Sequence, residues 1–212
     1  MATQETTPHA GVVGRRAGGT RTWGTVTVLA GALGAVCAVA VLLTPPQVPV
    51  ERFSHPFDDT WFVVAQLVFA VQHLAMLAGV LGLAALAPRP SRPWRTGLVL
   101  AGGGLVLLAA CEVVGLTATR ALGTSRVAGL VEASYGLPTA MVGLGFVLCG
   151  GVVLRRRLLP WGRGLALAFG VWVFVVLVPA LGGSDVAGRL AIGGWMVLFL
   201  LLGVALRRRG AP

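Results

Sequence analysis

The sequence contains no lysine and few charged residues of any kind. Only 11% of its 212 residues are charged, 56% are hydrophobic, and the mean hydropathy is +0.86. A soluble domain of this length carries roughly a quarter charged residues, because its surface must stay wetted. The apolar residues also form long blocks instead of recurring at amphipathic spacing, which is typical of helices that face lipid. We therefore exclude an ordinary soluble domain.

Cysteine is scarce, and the motifs of several enzyme and metal-site classes are missing. Cys37, Cys111 and Cys149 are odd in number and form no CxxC pair, so neither a disulfide framework nor a zinc site is indicated. We interpret them as small buried residues. The HExxH, GxSxG and P-loop patterns are absent, and one histidine within the apolar blocks is too few for a bundle that binds two haems. We predict no metal site and no cofactor.

The basic residues are all arginine, and their placement matters more than the net charge of +10. A strongly basic chain is a candidate nucleic-acid binder when its charges cover one face of a folded unit. Here the arginines form short clusters between apolar blocks, as membrane topology signals do. We therefore predict no nucleic-acid partner.

The apolar blocks predict an all-α, polytopic fold of six transmembrane helices. The expected spans are about 23–44, 61–87, 96–118, 128–154, 164–181 and 186–206. Each has about 18 to 27 residues, enough to cross a hydrocarbon core of ~30 Å at a rise of ~1.5 Å per residue. We expect residues 1–22 to form a disordered tail, residues 23–206 the transmembrane domain, and residues 207–212 a second tail.

The distribution of arginine predicts the orientation of these spans. Thirteen of the 17 arginines fall on one side, namely Arg15, Arg16, Arg21, Arg89, Arg92, Arg95, Arg155, Arg156, Arg157, Arg163, Arg207, Arg208 and Arg209. The other four are Arg52, Arg120, Arg126 and Arg189. Because arginine accumulates on the cytoplasmic side, we predict cytoplasmic termini and a location in the plasma membrane. The tryptophans expected as interfacial anchors are Trp23, Trp61, Trp94 and Trp161.

Small residues predict close packing between some of the helices, since glycine lets two backbones approach. The candidates are Gly102, Gly103, Gly104, Gly143, Gly145, Gly150, Gly151, Gly193 and Gly194. The equal alternative is that glycine is simply abundant in this chain, which has 31 of them.

Four ionisable residues fall within the predicted spans, where each is costly unless it is paired or hydrated. They are His73, Glu112, Glu132 and Arg189. Helical spacing adds Gln66 to the face of His73, and Tyr135 to the face of Glu132. If these faces converge, all six residues line a polar pocket in the outer half of the bundle. We expect Glu112 to face the interior and to lie within hydrogen-bonding reach of a polar group.

Structural roles are the alternatives for the same residues. Arg189 can form an ion pair with Glu112 or Glu132 that only fixes helix packing. Glu132 can be interfacial and solvated, and His73 can bond a neighbouring helix. Pro138 is expected to kink the fourth helix below these residues.

The outer connection before the second helix is unusually aromatic and acidic for its length. Residues 53–59, FSHPFDD, can form a lid over the pocket, with His55 and Asp58 as a metal pair. Two ligands without a third are weak evidence for a metal site, so a packed loop cap is favoured.

Two stretches carry a family resemblance. Residues 52–83, RFSHPFDDTWFVVAQLVFAVQHLAMLAGVLGL, and residues 189–206, RLAIGGWMVLFLLLGVAL, resemble six-span integral membrane proteins common in actinobacteria. The likeness covers most of the chain after about residue 50, and its motifs are hydrophobic and of low specificity. It implies a small, stand-alone membrane protein, and it carries over no activity and no site residues.

Three functions fit these residues. The first is binding or handling of a small or lipidic molecule in an outward-facing intramembrane pocket, with Glu112 and Arg189 as polar anchors. The second is a membrane-embedded enzyme that acts on an isoprenoid or lipid, with Glu112 as the proton donor and His73 or Tyr135 assisting. Protonating an alkene needs a carboxylic acid in a dry pocket, as in a cyclase or isomerase. The third is a scaffold or subunit whose polar residues meet a partner membrane protein.

Overall fold

The computed structural model describes residues 10–87 and 90–209, with side chains from Gly19 onward, and all regular structure there is helical. The helices are α1 (Ala10–Leu43), α2 (Asp59–Ala84), α3 (Arg92–Gly115), α4 (Arg126–Arg156), α5 (Leu165–Leu181) and α6 (Asp185–Arg209). A short 3₁₀ turn, Leu116–Ala118, continues α3.

The six helices form a closed ring. Each helix packs against its neighbours in the chain, and α6 returns to pack along α1, while α2 also touches α6. The outer surface is apolar, since Leu29, Val36 and Val99 are 64%, 65% and 72% exposed. Within the described residues, five helices are long and apolar enough to cross a membrane, and α5 is a shorter apolar helix. The all-helical membrane fold expected from the sequence is therefore confirmed at this level.

α5 has 17 residues and is not a regular α-helix throughout. Its middle, Val173–Leu177, is a π-helical turn. Pro179 follows, and its ring would clash with the carbonyl one turn earlier, at Val175, while offering no N–H to bond it. A π-turn widens the helix there, which is a common way to accommodate such a break in the hydrogen-bond ladder.

The helices extend further at both chain ends than the apolar blocks indicated. α1 begins at Ala10 instead of the expected Trp23, so residues 10–22 of the predicted tail are helical. α6 continues through Arg209, past the expected end at Leu206. Arginine is a good helix former, so α6 can continue beyond the part that faces lipid. Residues 10–22 contain four glycines, so helix propensity does not explain the extension of α1. Residues 1–9 and 210–212 of the predicted tails lie outside the described residues.

Side-chain caps fix the starts of three helices at one end of the bundle. Asp58, Ser125 and Ser184 precede α2, α4 and α6, and their side-chain oxygens accept backbone N–H bonds of 2.8, 3.2 and 3.2 Å. Such caps satisfy donors that the first helical turn leaves free. α3 begins with Pro93 in its first turn, where the missing N–H costs nothing.

Glycine brings neighbouring helices together backbone to backbone. A Cβ at Gly145 of α4 would lie 2.5 Å from the backbone nitrogen of Ala101 in α3, and one at Gly203 of α6 would lie 2.6 Å from that of Val28 in α1. The predicted packing glycines that are this confined are Gly104, Gly143, Gly145, Gly150 and Gly194. The others, Gly102, Gly103, Gly151 and Gly193, have ordinary room for a Cβ. Both interpretations of the glycines are therefore partly correct.

Aromatic rings fill the centre between α4, α5 and α6. Phe169 lies 4.4 Å from Phe146, 5.3 Å from Phe199 and 4.7 Å from Trp195, measured between ring centroids. Trp195 stacks on Phe169 and donates its indole N–H to the Phe169 carbonyl at 3.2 Å. Burying this N–H without a partner would be costly, and the bond removes that cost.

Three of the four expected tryptophan anchors are partly exposed. Trp61 lies in the first turn of α2, whereas Trp23 lies inside α1 and Trp161 lies in the connection before α5. Trp23, Trp61 and Trp161 are 37%, 55% and 42% exposed, and the Arg208 guanidinium lies over the Trp161 ring. Trp94 was predicted wrongly, because it is only 1% exposed. It lies in the first turn of α3, and that turn packs against α4 and places the ring in the core.

Candidate functional site

Glu112 is a buried carboxylic acid with polar neighbours from two other helices. It lies on α3, one turn before the helix ends, and is 6% exposed. Tyr135 of α4 donates its hydroxyl to Glu112 Oε2 at 3.0 Å. His73 of α2 places Nδ1 3.5 Å from Glu112 Oε1. Glu112 thus faces the interior and has a polar partner, as expected.

Gln66 of α2 completes this group by bonding the backbone of α3. Its Nε2 donates to the Glu112 carbonyl oxygen at 3.3 Å. In a regular α-helix the Leu116 N–H would bond the Glu112 carbonyl. Here α3 tightens into a 3₁₀ turn and that N–H bonds the Val113 carbonyl, so the Glu112 carbonyl needs another donor. The Gln66 amide lies directly against Gly115, where a Cβ would collide with it. We call Gln66, His73, Glu112 and Tyr135 the Glu112 cluster.

His73 carries the unfilled hydrogen-bonding position of the Glu112 cluster. Its Nδ1 is buried and makes no hydrogen bond of good geometry to a described residue, although the ring lies near the Phe69 backbone one turn earlier. The separation of 3.5 Å from Oε1 is too long for a good hydrogen bond. Buried polar atoms are nearly always satisfied, so an exception at a buried carboxyl group is notable.

Arg189 interacts with the Glu112 cluster only through its charge. Its guanidinium interacts electrostatically with Asp185 and Glu112. Within the described ranges, no direct ion pair joins Arg189 to Glu112 or Glu132, so the predicted structural pair is absent there. The reason is the order of the ring: α6 packs on α1 and α5, whereas α3 packs on α2 and α4.

Glu132 lies outside the Glu112 cluster. It is exposed, and it makes no hydrogen bond or ion pair with any residue in the described part of the chain. α4 begins at Arg126, so Glu132 is within two turns of the helix end. Its exposure agrees with the alternative of an interfacial, solvated residue. Its assignment as a ligand-binding residue stays a prediction.

Cys111 has a structural role that the sequence analysis missed. Pro138 lacks the N–H that would bond the Ser134 carbonyl of the preceding turn. The Cys111 thiol lies 3.4 Å from that carbonyl oxygen and donates to it. α4 runs as one helix through Pro138. The thiol, a weak donor, thus partly replaces the missing backbone bond beside Glu112.

Gln72 is a second buried amide that the sequence analysis did not select. It is 3% exposed, and its Nε2 lies 3.4 Å from the Ala30 carbonyl oxygen and 3.1 Å from Met196 Sδ. It therefore links α1, α2 and α6. Its position in the middle of an apolar block was the available signal, because an amide there needs partners.

The connection before α2 packs against the connection between α3 and α4. The Phe53 N–H donates to the Ala121 carbonyl at 3.0 Å, and the Gly123 N–H donates to that of Glu51 at 2.7 Å. Asp59 binds both Arg52 and Arg120, at 2.9 and 2.6 Å. This arrangement forms the packed loop cap that the sequence favoured.

The two residues proposed as a metal pair in that connection have other partners. His55 Nδ1 lies 3.1 Å from the Val48 carbonyl oxygen, and Asp58 caps α2. Each ring or carboxylate is thus held by the loop itself. The loop cap lies at the N-terminal end of α2, and Gln66 follows about two turns later in that helix.

A cavity of about 330 Å³ lies between α2 and α3 towards their other ends. It is lined by Leu77, Val80, Leu81, Ala84, Leu98, Val99 and Gly102. This apolar groove shares no residue with the Glu112 cluster. No protein-family model, curated protein or solved structure matches the chain.

Proposed function

We propose that this membrane protein binds a small or lipidic molecule at the Glu112 cluster, with Glu112 and His73 holding its polar group. The observation that carries the proposal is the buried pair of His73 Nδ1 and Glu112 Oε1, 3.5 Å apart, in which Nδ1 makes no hydrogen bond of good geometry. A ligand hydroxyl or amine reaches both atoms only if neighbouring side chains move, because Nδ1 is fully buried. Retaining a carboxyl group and an imidazole inside apolar helices is costly, so such residues commonly mark functional sites.

The environment of Tyr135 supports access from the lipid side. Tyr135 is half-buried, and Glu132, which shares its helical face, is exposed on α4. Nothing lies within 4 Å of the position that a Gly136 Cβ would occupy. A lipidic molecule can therefore approach along α4 and meet the Tyr135 hydroxyl before Glu112.

Identification of the molecule that co-purifies is the first test. Native mass spectrometry of the protein in mild detergent, followed by organic extraction, should reveal a bound small or lipidic molecule. Glu112→Gln keeps the shape of the side chain but removes the titratable proton. This variant should assemble normally, with a similar thermal midpoint, and lose the molecule.

Glu51→Gln is the control, because Glu51 is exposed in the connection before α2 and lies outside the Glu112 cluster. It makes the same chemical change away from the cluster and should retain the molecule. A Glu112→Gln variant that retains the molecule as the wild type does would contradict the proposal, as would a wild-type protein that carries none.

A second candidate is acid catalysis on an isoprenoid or lipid. The observation that favours it is the contact of one carboxyl group with both a hydroxyl and an imidazole, since a proton delivered by Glu112 can be replaced through His73. Incorporation of deuterium from heavy water into a prenyl substrate, lost in Glu112→Gln, would identify this reaction.

A scaffold that binds a partner membrane protein is the third candidate. It would tolerate Glu112→Leu with full assembly and function, because leucine removes the cost of burying the carboxyl group. Loss of the co-purifying molecule in this variant, without loss of stability, would count against the scaffold.

We also propose six spans with both termini in the cytoplasm of a bacterial cell, as in the actinobacterial proteins that the sequence resembles. The 13 to 4 distribution of arginine supports this orientation. α5 is the shortest of the six proposed spans, and its 17 residues cover only ~26 Å of a ~30 Å core. Local thinning of the bilayer accommodates a shortfall of this size at modest cost.

Cysteine labelling tests the orientation. Ser54, a natural choice for the outer loop, is fully buried and would not react. Val50 is 70% exposed, so Val50→Cys should react with an impermeant reagent on intact cells, whereas Ser91→Cys should not. The native cysteines all lie within helices and give a low background. Labelling of Ser91→Cys alone would invert the topology.

A further inference from the structure

The apolar groove between α2 and α3 is open towards the lipid. Of its lining residues, Val99 is 72% exposed and Leu81 is 46% exposed. On α3, Leu98 and Gly102 are one helical turn apart and lie on the same face as Val99. A groove of about 330 Å³ on a surface that contacts lipid must be filled by something apolar.

Two arginines lie at the end of this groove. Arg95 precedes Leu98 and Val99 by three and four residues, so it shares their face of α3, and Arg92 lies one turn earlier. Both arginines are exposed, and neither guanidinium has a hydrogen-bond or ion-pair partner among the described residues. The chain has no acidic residue between Asp59 and Glu112, so this end of the α2–α3 hairpin is uncompensated positive charge.

The depth suits the upper part of one acyl chain below a headgroup. Gly102 lies seven residues beyond Arg95, or ~10 Å deeper along the helix axis. Because Gly102 has no side chain, it leaves space at the deep end of the groove. A Cβ there would meet Leu77 and Val80 only at 3.9 Å, so a larger side chain could occupy the groove without moving the backbone.

We propose that this groove is a binding site for an anionic phospholipid. Its phosphate contacts Arg92 and Arg95, and one acyl chain lies along Leu98 and Val99 to reach Gly102. Basic residues at the membrane interface recognise anionic headgroups, and a zwitterionic lipid gains less because its own cation opposes the arginines. The site uses no residue of the Glu112 cluster, so it is independent of the function proposed above.

Lipid titration followed by native mass spectrometry tests this site. Delipidated full-length protein in detergent is titrated with phosphatidylglycerol and, separately, with phosphatidylcholine of the same acyl chains. Phosphatidylglycerol should bind more tightly by roughly 30-fold, or roughly fivefold for each arginine. Arg92→Gln combined with Arg95→Gln should reduce its affinity to the phosphatidylcholine level.

Filling the groove supplies a second, charge-independent test. Gly102→Leu should weaken phosphatidylglycerol binding while both arginines remain. Gly151→Leu is the matched control, because it makes the same change one turn before Arg155 on α4, where nothing lies within 4 Å of the Cβ position.

Three results would overturn the proposal: equal affinity of the wild type for the two lipids, an arginine variant that keeps its preference, or a Gly102→Leu variant that binds as Gly151→Leu does. A failure of the Glu112 proposal leaves these outcomes unchanged, because Glu112→Gln leaves the groove intact.

Discussion

Substituting Gly145 by alanine should separate two helices whose backbones are in contact. The new Cβ would lie 2.5 Å from the Ala101 nitrogen and 2.7 Å from the Gly97 carbonyl oxygen of α3. Ordinary contacts begin at 3.4 Å, so α3 and α4 must move apart by about 0.9 Å. Backbone atoms cannot rotate away as a side chain can. Overpacking of this kind costs about 1–3 kcal/mol of the free energy of unfolding.

Unfolding by sodium dodecyl sulfate in mixed micelles, monitored by tryptophan fluorescence, measures this cost. Gly151→Ala is the control, because it makes the same change in the same helix with nothing within 4 Å of the added atom. It should lose no stability, since alanine favours the helix. Equal stability of the two variants would refute the backbone contact between α3 and α4.

Three further predictions concern the site, the aromatic core and the loop cap. Gly115→Ala should displace the Gln66 amide and cost about 1–2 kcal/mol in the same assay, and adding Gln66→Ala should cause no further loss if the collision is with that amide. Trp195→Phe should cost about 1–2 kcal/mol, because it leaves the Phe169 carbonyl without its indole donor; an unchanged midpoint would contradict this bond. Asp59→Asn should lower the thermal midpoint slightly at low salt and not at high salt, and a salt-independent loss would show that the two arginines are not bound through charge.

The helices could be predicted from the sequence more accurately than their ends. Each apolar block corresponds to one helix, because a chain in lipid must satisfy its backbone hydrogen bonds internally. Hydrophobicity marks the part of a helix that faces lipid, so it did not locate the start of α1 at Ala10. The π-turn in α5 depends on how the chain adjusts before Pro179, which no periodicity reveals.

The candidate site could also be predicted only in part from the sequence. The cost of burying polar groups in lipid brought out His73 and Glu112, and helical spacing added Gln66 and Tyr135. Spacing along one helix does not show which helices are neighbours. The sequence therefore could not show that Arg189 makes no direct contact with Glu112.

The bond between Cys111 and the Ser134 carbonyl ties two distant sequence positions to each other. The thiol is useful there only because residue 138 is proline and leaves that carbonyl without its helical partner. Among related chains, those that keep proline at 138 should keep cysteine, serine or another small donor at 111. Chains that have lost the proline regain a backbone N–H, and position 111 is then free to become alanine or glycine. The two positions should therefore vary together, although they are 27 positions apart in the sequence.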